Sequence, residues 1–228
     1  NDTLKQSRFK KSTTVFGSTN YKKKFNHKYI NLKSKNFLFQ SQNKKYVEEF
    51  EKYERKRKSD IIEIHNRPNY INYLKNFNNT TKLILYFHNN PLMMNGSKFV
   101  YQRKNLLKKC TKIIFNSDWS KNKFIKDLYL DAIFRNKICT INQSTKKNLI
   151  NFQKKKKIIS FVGKLNKNKG YDLFGEAIIK ILNKYNDWTA YVAGDEPRDK
   201  LLYNHSKLKI LGFQSHKKII NLLKKTSI

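Results

Sequence analysis

The chain alternates between short apolar runs and longer segments in which apolar residues recur at helical spacing. Apolar runs at residues 60–65 (DIIEIH), 82–88 (KLILYFH), 112–116 (KIIFN) and 137–141 predict strands, and a shorter run at 13–16 ends at Gly17. Residues 44–58, 68–77, 98–108 and a segment capped by Ser117 or Asp118 predict helices. Apolar strands that alternate with amphipathic helices are typical of a buried parallel sheet, so the sequence predicts the α/β class.

This alternation stops at a polar stretch, residues 142–157, which ends in four consecutive lysines, and then restarts. Strands are predicted at 158–162, 189–193 and 207–211, and helices at 169–185 and 216–225. The first of these helices presents Leu173, Ala177, Ile178, Ile181 and Leu182 on one face. We therefore predict one domain over residues 1–146, a linker over 147–157 and a second domain over 158–228, with ligands bound in a cleft between the carboxyl ends of the two sheets.

Composition narrows the class of protein. No run of about 18 apolar residues is present, the first residues lack a signal-peptide core, and the two cysteines are far apart, so a reduced cytoplasmic setting is expected. The net charge is +34, but only seven of the 50 basic residues are Arg, and the lysines are spread among Asn, Ile and Tyr. This indicates the bias of an AT-rich genome rather than a specific nucleic-acid site.

The alternative to an enzyme is a basic α/β module that binds polyanions or RNA without catalysis. The aromatic residues oppose it, because they lie within apolar strands more than between basic residues. A surface this basic should still be drawn to anionic membranes and to phosphorylated ligands.

The segment 161–172 carries the clearest chemistry. An apolar strand runs into a turn with Gly163 and Lys164, and Lys169 and Gly170 come directly before a helix. Glycines let the backbone approach a ligand, a helix N-terminus offers free N–H groups, and ammonium groups add positive charge. The combination suits a diphosphate, although an ordinary turn in a lysine-rich chain has the same composition.

This segment resembles the start of the second domain in glycosyltransferase family 4, where Gly-Arg-Leu is followed by Lys-Gly. Lys169 and Gly170 match the Lys-Gly pair, and Lys164 stands where Arg is usual. Further segments match in the family's order between residues 60 and 228. They are the strand ends at His65 and at His88-Asn89, residues 113–120, the turn with Gly194 and Asp195, and the loop with Phe213.

The resemblance implies two Rossmann-like domains of the GT-B type. It implies retaining transfer of a hexosyl-type sugar from a nucleoside diphosphate sugar to a hydroxyl of a glycan or lipid-linked acceptor. The setting would be cell-surface polysaccharide or lipopolysaccharide synthesis, in the cytoplasm or on the inner face of the membrane. Other GT-B enzymes, such as a phosphorylase or an inverting transferase, stay open, as do the sugar and the nucleobase.

The resemblance also assigns residues. Lys164 and Lys169 would bind the donor diphosphate with Gly163 and Gly170, Lys169 would stabilise the leaving group, and His88 would donate a hydrogen bond to the sugar. His65, Asn89, Gly194, Asp195 and Phe213 are assigned to the cleft. Glu196, next to Asp195, is expected to be structural or to lie at the ligand rim. No metal-ligand cluster is present in the sequence, so no metal or cofactor is predicted beyond the nucleotide sugar.

Two departures from the family concern the ends of the chain. The family's first strand ends in a Gly-rich loop, and two Glu residues eight positions apart follow the helix that matches 216–225; neither feature is in this sequence. We therefore expect a fragment truncated at both ends, with both domains incomplete, and without transferase activity by itself.

Overall fold

The computed structural model describes residues 4, 7–19, 28–32, 41–74, 80–143, 149–197 and 200–227. The chain divides into two compact units, Asn1–Ser144 and Thr145–Ile228. Each unit has its own parallel sheets. The predicted domain end at residue 146 and the beginning of the predicted linker lie outside the described residues.

The first unit contains a small and a larger sheet, both parallel. The small sheet pairs β1 (Val15–Gly17) with β2 (Tyr29–Asn31), and the larger has the order β3 (Ile61–His65), β4 (Lys82–Phe87), β5 (Lys112–Phe115), β6 (Ile138–Thr140). Its helices are α1 (Gln42–Lys56), α2 (Pro68–Tyr73), α3 (Val100–Lys109), α4 (Asp118–Ile125) and α5 (Ala132–Lys137). The short elements β2 and α5 were not predicted, because neither is long enough to show a period.

The two faces of the larger sheet differ. Alternate strand residues, such as Leu85, Phe87 and Ile113, are fully buried against the helices. Burial in this core raises the pKa of the Cys110 thiol to about 12, so this cysteine is protonated and unreactive at neutral pH. The opposite face is more open and carries polar side chains at its carboxyl edge, which include those of His65 and His88.

Helix α4 is fixed at both of its ends. The Ser117 side chain accepts a hydrogen bond from the Ser120 backbone N–H, which is the N-cap that the sequence predicts. At the other end the buried guanidinium of Arg103 donates to the carbonyls of Lys123 and Phe124, at 3.2 and 2.8 Å. Capping by a cation suits the negative end of the helix dipole. The Asn116 N–H, just before α4, donates to the Phe87 carbonyl at 3.2 Å and joins this turn to the end of β4.

The second unit has one sheet with the order β7 (Ile158–Val162), β8 (Thr189–Ala193), β9 (Leu208–Gly212), all parallel. Its helices are α6 (Tyr171–Lys184) and α7 (His216–Leu223). After α7, Thr226 forms a parallel bridge with Lys156, and the Ser227 N–H donates to the Ile158 carbonyl. The chain therefore begins to extend the sheet on the outer side of β7.

The buried face of α6 is rotated from the predicted one. Leu173 is 71% exposed and Ala177 is also exposed, whereas Gly175 is buried together with Ile178 and Leu182. A Cβ atom on Gly175 would lie 2.1 Å from the ring of Tyr203, so this helix meets the 200–205 segment through a glycine. The prediction was confirmed for Ile178, Ile181 and Leu182, which pack in the core, and wrong for Leu173 and Ala177, because it gave glycine no place in the packed face.

In the part of the chain that the structure describes, each helix is too short or too polar to span a bilayer.

Candidate functional site

Glycines line the carboxyl edge of the sheet in the second unit. The Gly163 N–H donates to the Ala193 carbonyl at 3.0 Å, and the Gly194 N–H donates to the Gly212 carbonyl at 2.9 Å. Gly194 has φ +153°, and a Cβ atom there would lie 1.7 Å from the carbonyl oxygen of Gly163. The turns after the three strands therefore pack backbone against backbone, which a side chain at position 194 would prevent.

The N-terminus of α6 is open at this edge. Gly170 is its N-cap residue, in the left-handed conformation with φ +71°, and no side chain caps the helix. No atom lies within 4 Å of the position that a Gly170 Cβ would take. The Tyr171 N–H already donates to the Asn166 carbonyl at 3.2 Å, so an anion here would meet the next N–H groups of the first turn and the positive end of the helix dipole.

Two lysines border this opening, and their surroundings differ. The Lys164 ammonium donates to the Glu196 carboxylate at 3.0 Å, and Asn166 donates to the same oxygen at 3.3 Å. Lys169 is exposed, and no ion pair joins it to any described residue. Within the described residues, the Lys169 ammonium therefore has no carboxylate partner, in contrast to that of Lys164.

Glu196 has a partner in the structure, Lys164, that the sequence did not predict. Its side chain is 3% exposed, against 56% for Lys164, and a buried carboxylate needs a cation or several donors. The expectation for Asp195 and Glu196 together was a structural or ligand-rim position. The structure separates them: Glu196 is buried, and Asp195 is exposed, 3.6 Å from the Lys200 ammonium. The available signal was an acidic residue two positions after Gly194 in a chain rich in lysine.

The first unit places His65 and His88 in contact. Nδ1 of His65 lies 2.9 Å from Nε2 of His88, and the two rings are within 13° of parallel with 5.2 Å between their centroids. The other ring nitrogens also have partners: Nε2 of His65 lies 3.2 Å from Oε1 of Glu63, and Nδ1 of His88 lies 2.7 Å from Nε2 of Gln143. Both imidazoles are therefore fully hydrogen-bonded, which the predicted donation from His88 to a sugar did not anticipate.

Two asparagines hold the backbone of His88. The Asn66 side chain accepts from the His88 N–H at 3.2 Å, and the Asn116 side chain donates to the His88 carbonyl at 2.9 Å. Asn66 has φ +56°, a left-handed conformation that asparagine tolerates better than most residues. Sequence reasoning gave these asparagines no role, although each follows a strand at the edge where ligands of such sheets bind. Asn89, the next residue along, is exposed.

The protonation states of His88 and Glu63 follow from their surroundings. Burial, followed by the neighbouring His65, holds the pKa of His88 below its ordinary value, and Glu63 partly opposes this. The hydrogen bond from His65 holds the pKa of the Glu63 carboxyl below its ordinary value. At neutral pH His88 is therefore neutral and Glu63 is a carboxylate.

The predicted site residues thus fall into two sets. Gly163, Lys164, Lys169, Gly170, Gly194 and Asp195 lie around one edge of the second unit, and His65, His88 and Asn89 lie at one edge of the first. Phe213, in the loop after β9, is 85% exposed. The cleft that would join the two sets stays a prediction. In the part of the chain that the structure describes, no group of three or more His, Cys, Asp or Glu side chains could hold a metal ion.

Comparison with known proteins connects the second unit to a family. Residues 142–228 match the family described as "Glycosyl transferases group 1". No curated protein sequence matches the chain. The family match covers the glycine-lined edge with Lys164 and Lys169.

Solved structures extend the likeness to most of the chain. TarM superposes with a TM-score of 0.59 at 14% identity, over 79% of this chain and 38% of that one. S. aureus MnaA in complex with UDP gives 0.52 at 12%, over 87% and 58%. Anabaena Alr3699/HepE in complex with UDP-glucose gives 0.51 at 14%, over 75% and 52%.

The chain has an α/β fold of the GT-B glycosyltransferase type. This confirms the predicted fold class. The chain spans between 38% and 58% of the length of these three structures.

Proposed function

We propose that the protein is a glycosyltransferase that moves a sugar from a nucleoside diphosphate sugar to a hydroxyl acceptor. The observation that carries this proposal is the uncompensated ammonium of Lys169 beside the glycine-capped N-terminus of α6, a helix of 14 residues. Both features favour the same ligand, a group with two or more negative charges that can approach the backbone closely.

Lys169 has the stronger role in this proposal. Negative charge grows on the diphosphate as the bond to the sugar breaks, so a fixed cation stabilises the transition state more than the bound donor. Lys164 is the second diphosphate ligand that the resemblance assigns. Because Lys164 already pairs with the buried Glu196, it adds less net charge than Lys169, and its ammonium must be shared with that carboxylate.

The finer features rest on the resemblance to glycosyltransferase family 4 alone. They are retention at the transferred carbon, a hexosyl-type sugar, and a glycan or lipid-linked acceptor in cell-surface polysaccharide or lipopolysaccharide synthesis. The contact of His88 with the donor sugar and a location at the inner face of the membrane are proposed on the same ground. Two of the similar structures were solved with UDP or UDP-glucose, which makes UDP-sugars the first donors to test.

A polyanion-binding role is the second candidate, and one feature favours it. An open groove of about 660 Å³ in the second unit is lined by Leu149, Asn151, Gln153, Lys154, Lys155, Lys156, Asn221, Lys224 and Lys225. None of these lining residues is acidic. The ammonium of Lys155, however, donates to the carbonyls of Leu223 and Thr226 at 2.9 and 2.5 Å, so it supports the chain after α7.

Donor turnover separates the two candidates. Because the chain is expected to be inactive by itself, the full-length protein that contains it is incubated with a panel of UDP-, GDP- and ADP-sugars, and release of the nucleoside diphosphate is followed with and without candidate glycan acceptors. We expect one donor class to be consumed in an acceptor-dependent manner. Turnover of none, together with submicromolar binding of single-stranded RNA at physiological salt, would replace the transferase by the polyanion-binding candidate.

A further inference from the structure

A continuous chain of hydrogen-bonded side chains crosses the open face of the larger sheet in the first unit. It runs from Gln143 to His88, from His88 to His65, and from His65 to Glu63, over contacts of 2.7, 2.9 and 3.2 Å. The ring of Tyr86 stacks on His88 at 4.5 Å and on His65 at 5.5 Å, with all three rings within 14° of parallel. These contacts keep the three rings nearly parallel to one another.

The direction of every hydrogen bond in this chain follows from its acidic end. A carboxylate can only accept, so Nε2 of His65 must carry a proton, and a neutral His65 then has its lone pair at Nδ1. His88 must donate to that lone pair from its own Nε2, which leaves the lone pair of His88 at Nδ1. The Gln143 amide N–H group faces that lone pair as a donor, so the two ends of the chain require the same order.

We propose that Glu63 and His65 are positioning residues that hold His88 in its Nε2–H tautomer. The Nδ1 lone pair of His88 is then the acceptor for a sugar hydroxyl that takes the place of Gln143. This rests on the proposed function for the identity of the ligand. This proposal reverses the predicted role of His88. In the prediction His88 donates a hydrogen bond to the sugar, and here it accepts one from the sugar.

Gln143 is the member of the chain that a ligand can replace. It is exposed and follows β6 in a loop, where Tyr86 fixes the neighbouring backbone by donating to the Ile141 carbonyl at 2.8 Å. A hydroxyl that enters here exchanges one donor to Nδ1 for another, with no polar group left unpaired on His88. An apolar group or an acceptor would leave that lone pair without a partner, so the site selects a donor.

The charged and titratable groups around His88 give the arrangement a pH signature. Glu63 and His65 face it from β3, and Tyr86 stacks on it from β4. Its pKa lies below the ordinary value of about 6.5. A proton at Nδ1 would remove the acceptor, so activity should fall as the pH drops through this lowered pKa. Removing the Glu63 charge in Glu63→Gln, which keeps an acceptor oxygen, should move that fall to still lower pH.

The tautomers can be observed directly by long-range ¹H–¹⁵N NMR of the histidine-labelled protein, because protonated and lone-pair ring nitrogens resonate far apart. We expect His65 and His88 both to be Nε2–H at pH 7.5. In His65→Ala combined with Gln143→Ala, where neither neighbour sets the order, His88 should become a mixture of tautomers. In His65→Asn with Gln143→Ala the side-chain oxygen takes the place of Nδ1, so the Nε2–H form of His88 should be restored. A wild-type His88 protonated at Nδ1 would overturn the proposal.

Kinetics with the donor found in the turnover assay test the consequence for the sugar. We expect kcat to fall about tenfold in His65→Ala, from the loss of one ordering hydrogen bond, and to recover in His65→Asn. Equal kcat in the wild type and His65→Ala, with the tautomers as expected, would overturn the positioning role. Absence of turnover with every donor would instead contradict the proposed function, and the NMR result would still decide the order of the chain.

Discussion

The polar groups at the carboxyl edges of the two main sheets have different surroundings. In the first unit the polar side chains at the edge bond to one another, so that both nitrogens of each of His65 and His88 have partners. In the second unit Lys169 has no ion pair with a described residue. The side-chain oxygens Oδ1 of Asn166 and Oδ1 of Asp172 are also buried without a hydrogen-bond partner in the part of the chain that the structure describes.

This difference indicates two kinds of site. The bonded edge is preorganised, because each polar group is already oriented by a neighbour, and it suits recognition of a neutral group by exchange of one hydrogen bond. The open edge leaves the Lys169 ammonium and backbone N–H groups for an anion, whereas the two buried acceptor oxygens would need a donor group of the ligand. We therefore expect substitutions of the charged side chains at the open edge to affect mainly catalysis and substitutions of its packed glycines to affect stability. Substitutions within the bonded network of the first unit should affect mainly stability and orientation.

The largest expected effect is that of Lys169→Ala. Loss of the uncompensated ammonium should lower kcat/KM by about 100- to 1,000-fold, the usual result of removing one group that stabilises a developing anion. Steady-state kinetics with the cognate donor measure it. Lys180→Ala, an exposed lysine farther along α6, is the matched control and should stay near wild type. Equal effects of the two substitutions would mean that the overall charge of the protein, and not the position of the lysine, determines the rate of reaction with the donor.

Gly194→Ala should be the most destabilising change at the glycine-lined edge. The added Cβ atom meets the Gly163 carbonyl, so the free energy of unfolding of the second unit should fall by about 3 kcal/mol. Gly212→Ala, where φ is also positive but no atom lies within 4 Å, should cost only about 1 kcal/mol.

Urea unfolding followed by Trp188 fluorescence, in a Trp119→Phe background, reports on the second unit by itself. If Gly194→Ala and Gly212→Ala cost the same, the close packing of the turns after β7 and β8 would be contradicted.

Arg103→Ala tests the internal bonding of the first unit. It removes two charge-assisted hydrogen bonds to the carbonyls that end α4, so we expect a loss of about 2 kcal/mol in the free energy of unfolding. Trp119, in α4, is the fluorescence probe. Lys104→Ala, an exposed neighbour on α3, should change stability by less than about 0.5 kcal/mol. A stable Arg103→Ala protein would show that α4 does not depend on this cap.

The smallest effect is expected at Lys164. Because its ammonium is half-exposed and shared with Glu196, Lys164→Ala should weaken donor affinity by only about fivefold. Lys164→Arg should stay within about twofold of wild type, since the guanidinium can pair with a carboxylate and a phosphate together. Titration calorimetry with the nucleoside diphosphate gives both values. A loss as large as that of Lys169→Ala would contradict the unequal roles of the two lysines.

Much of the fold could be predicted because the strands are buried. The apolar runs at Ile158–Val162 and Thr189–Ala193 have the bounds that the sequence predicts, and others differ by one or two residues at their ends. Such strands are specified by local burial alone. The packed face of α6 could not be predicted, because it depends on the ring of Tyr203, about 30 residues later in the chain, filling the space over Gly175.

The sequence predicted which residue types form the candidate site, but not which of their side chains pair with one another. An anion site is indicated by the positions of Lys169, Gly170 and Gly194, which follow strands or precede a helix. The pairing of Lys164 with Glu196 joins residues 32 positions apart, and the contact of His65 with His88 depends on the register of two neighbouring strands. Neither contact has a local sequence pattern, so each had to come from the three-dimensional structure.

The central claim is that a nucleoside diphosphate binds at the N-terminus of α6, and backbone amide NMR tests it most directly. The ¹⁵N-labelled protein is titrated with UDP, GDP and ADP, alongside Lys169→Ala and Lys180→Ala. For at least one nucleotide we expect saturable shifts at Gly163, Lys169, Gly170 and Gly194 that disappear in Lys169→Ala and persist in Lys180→Ala. Shifts confined to residues 149–156 and 221–225, or shifts unchanged by Lys169→Ala, would contradict the claim.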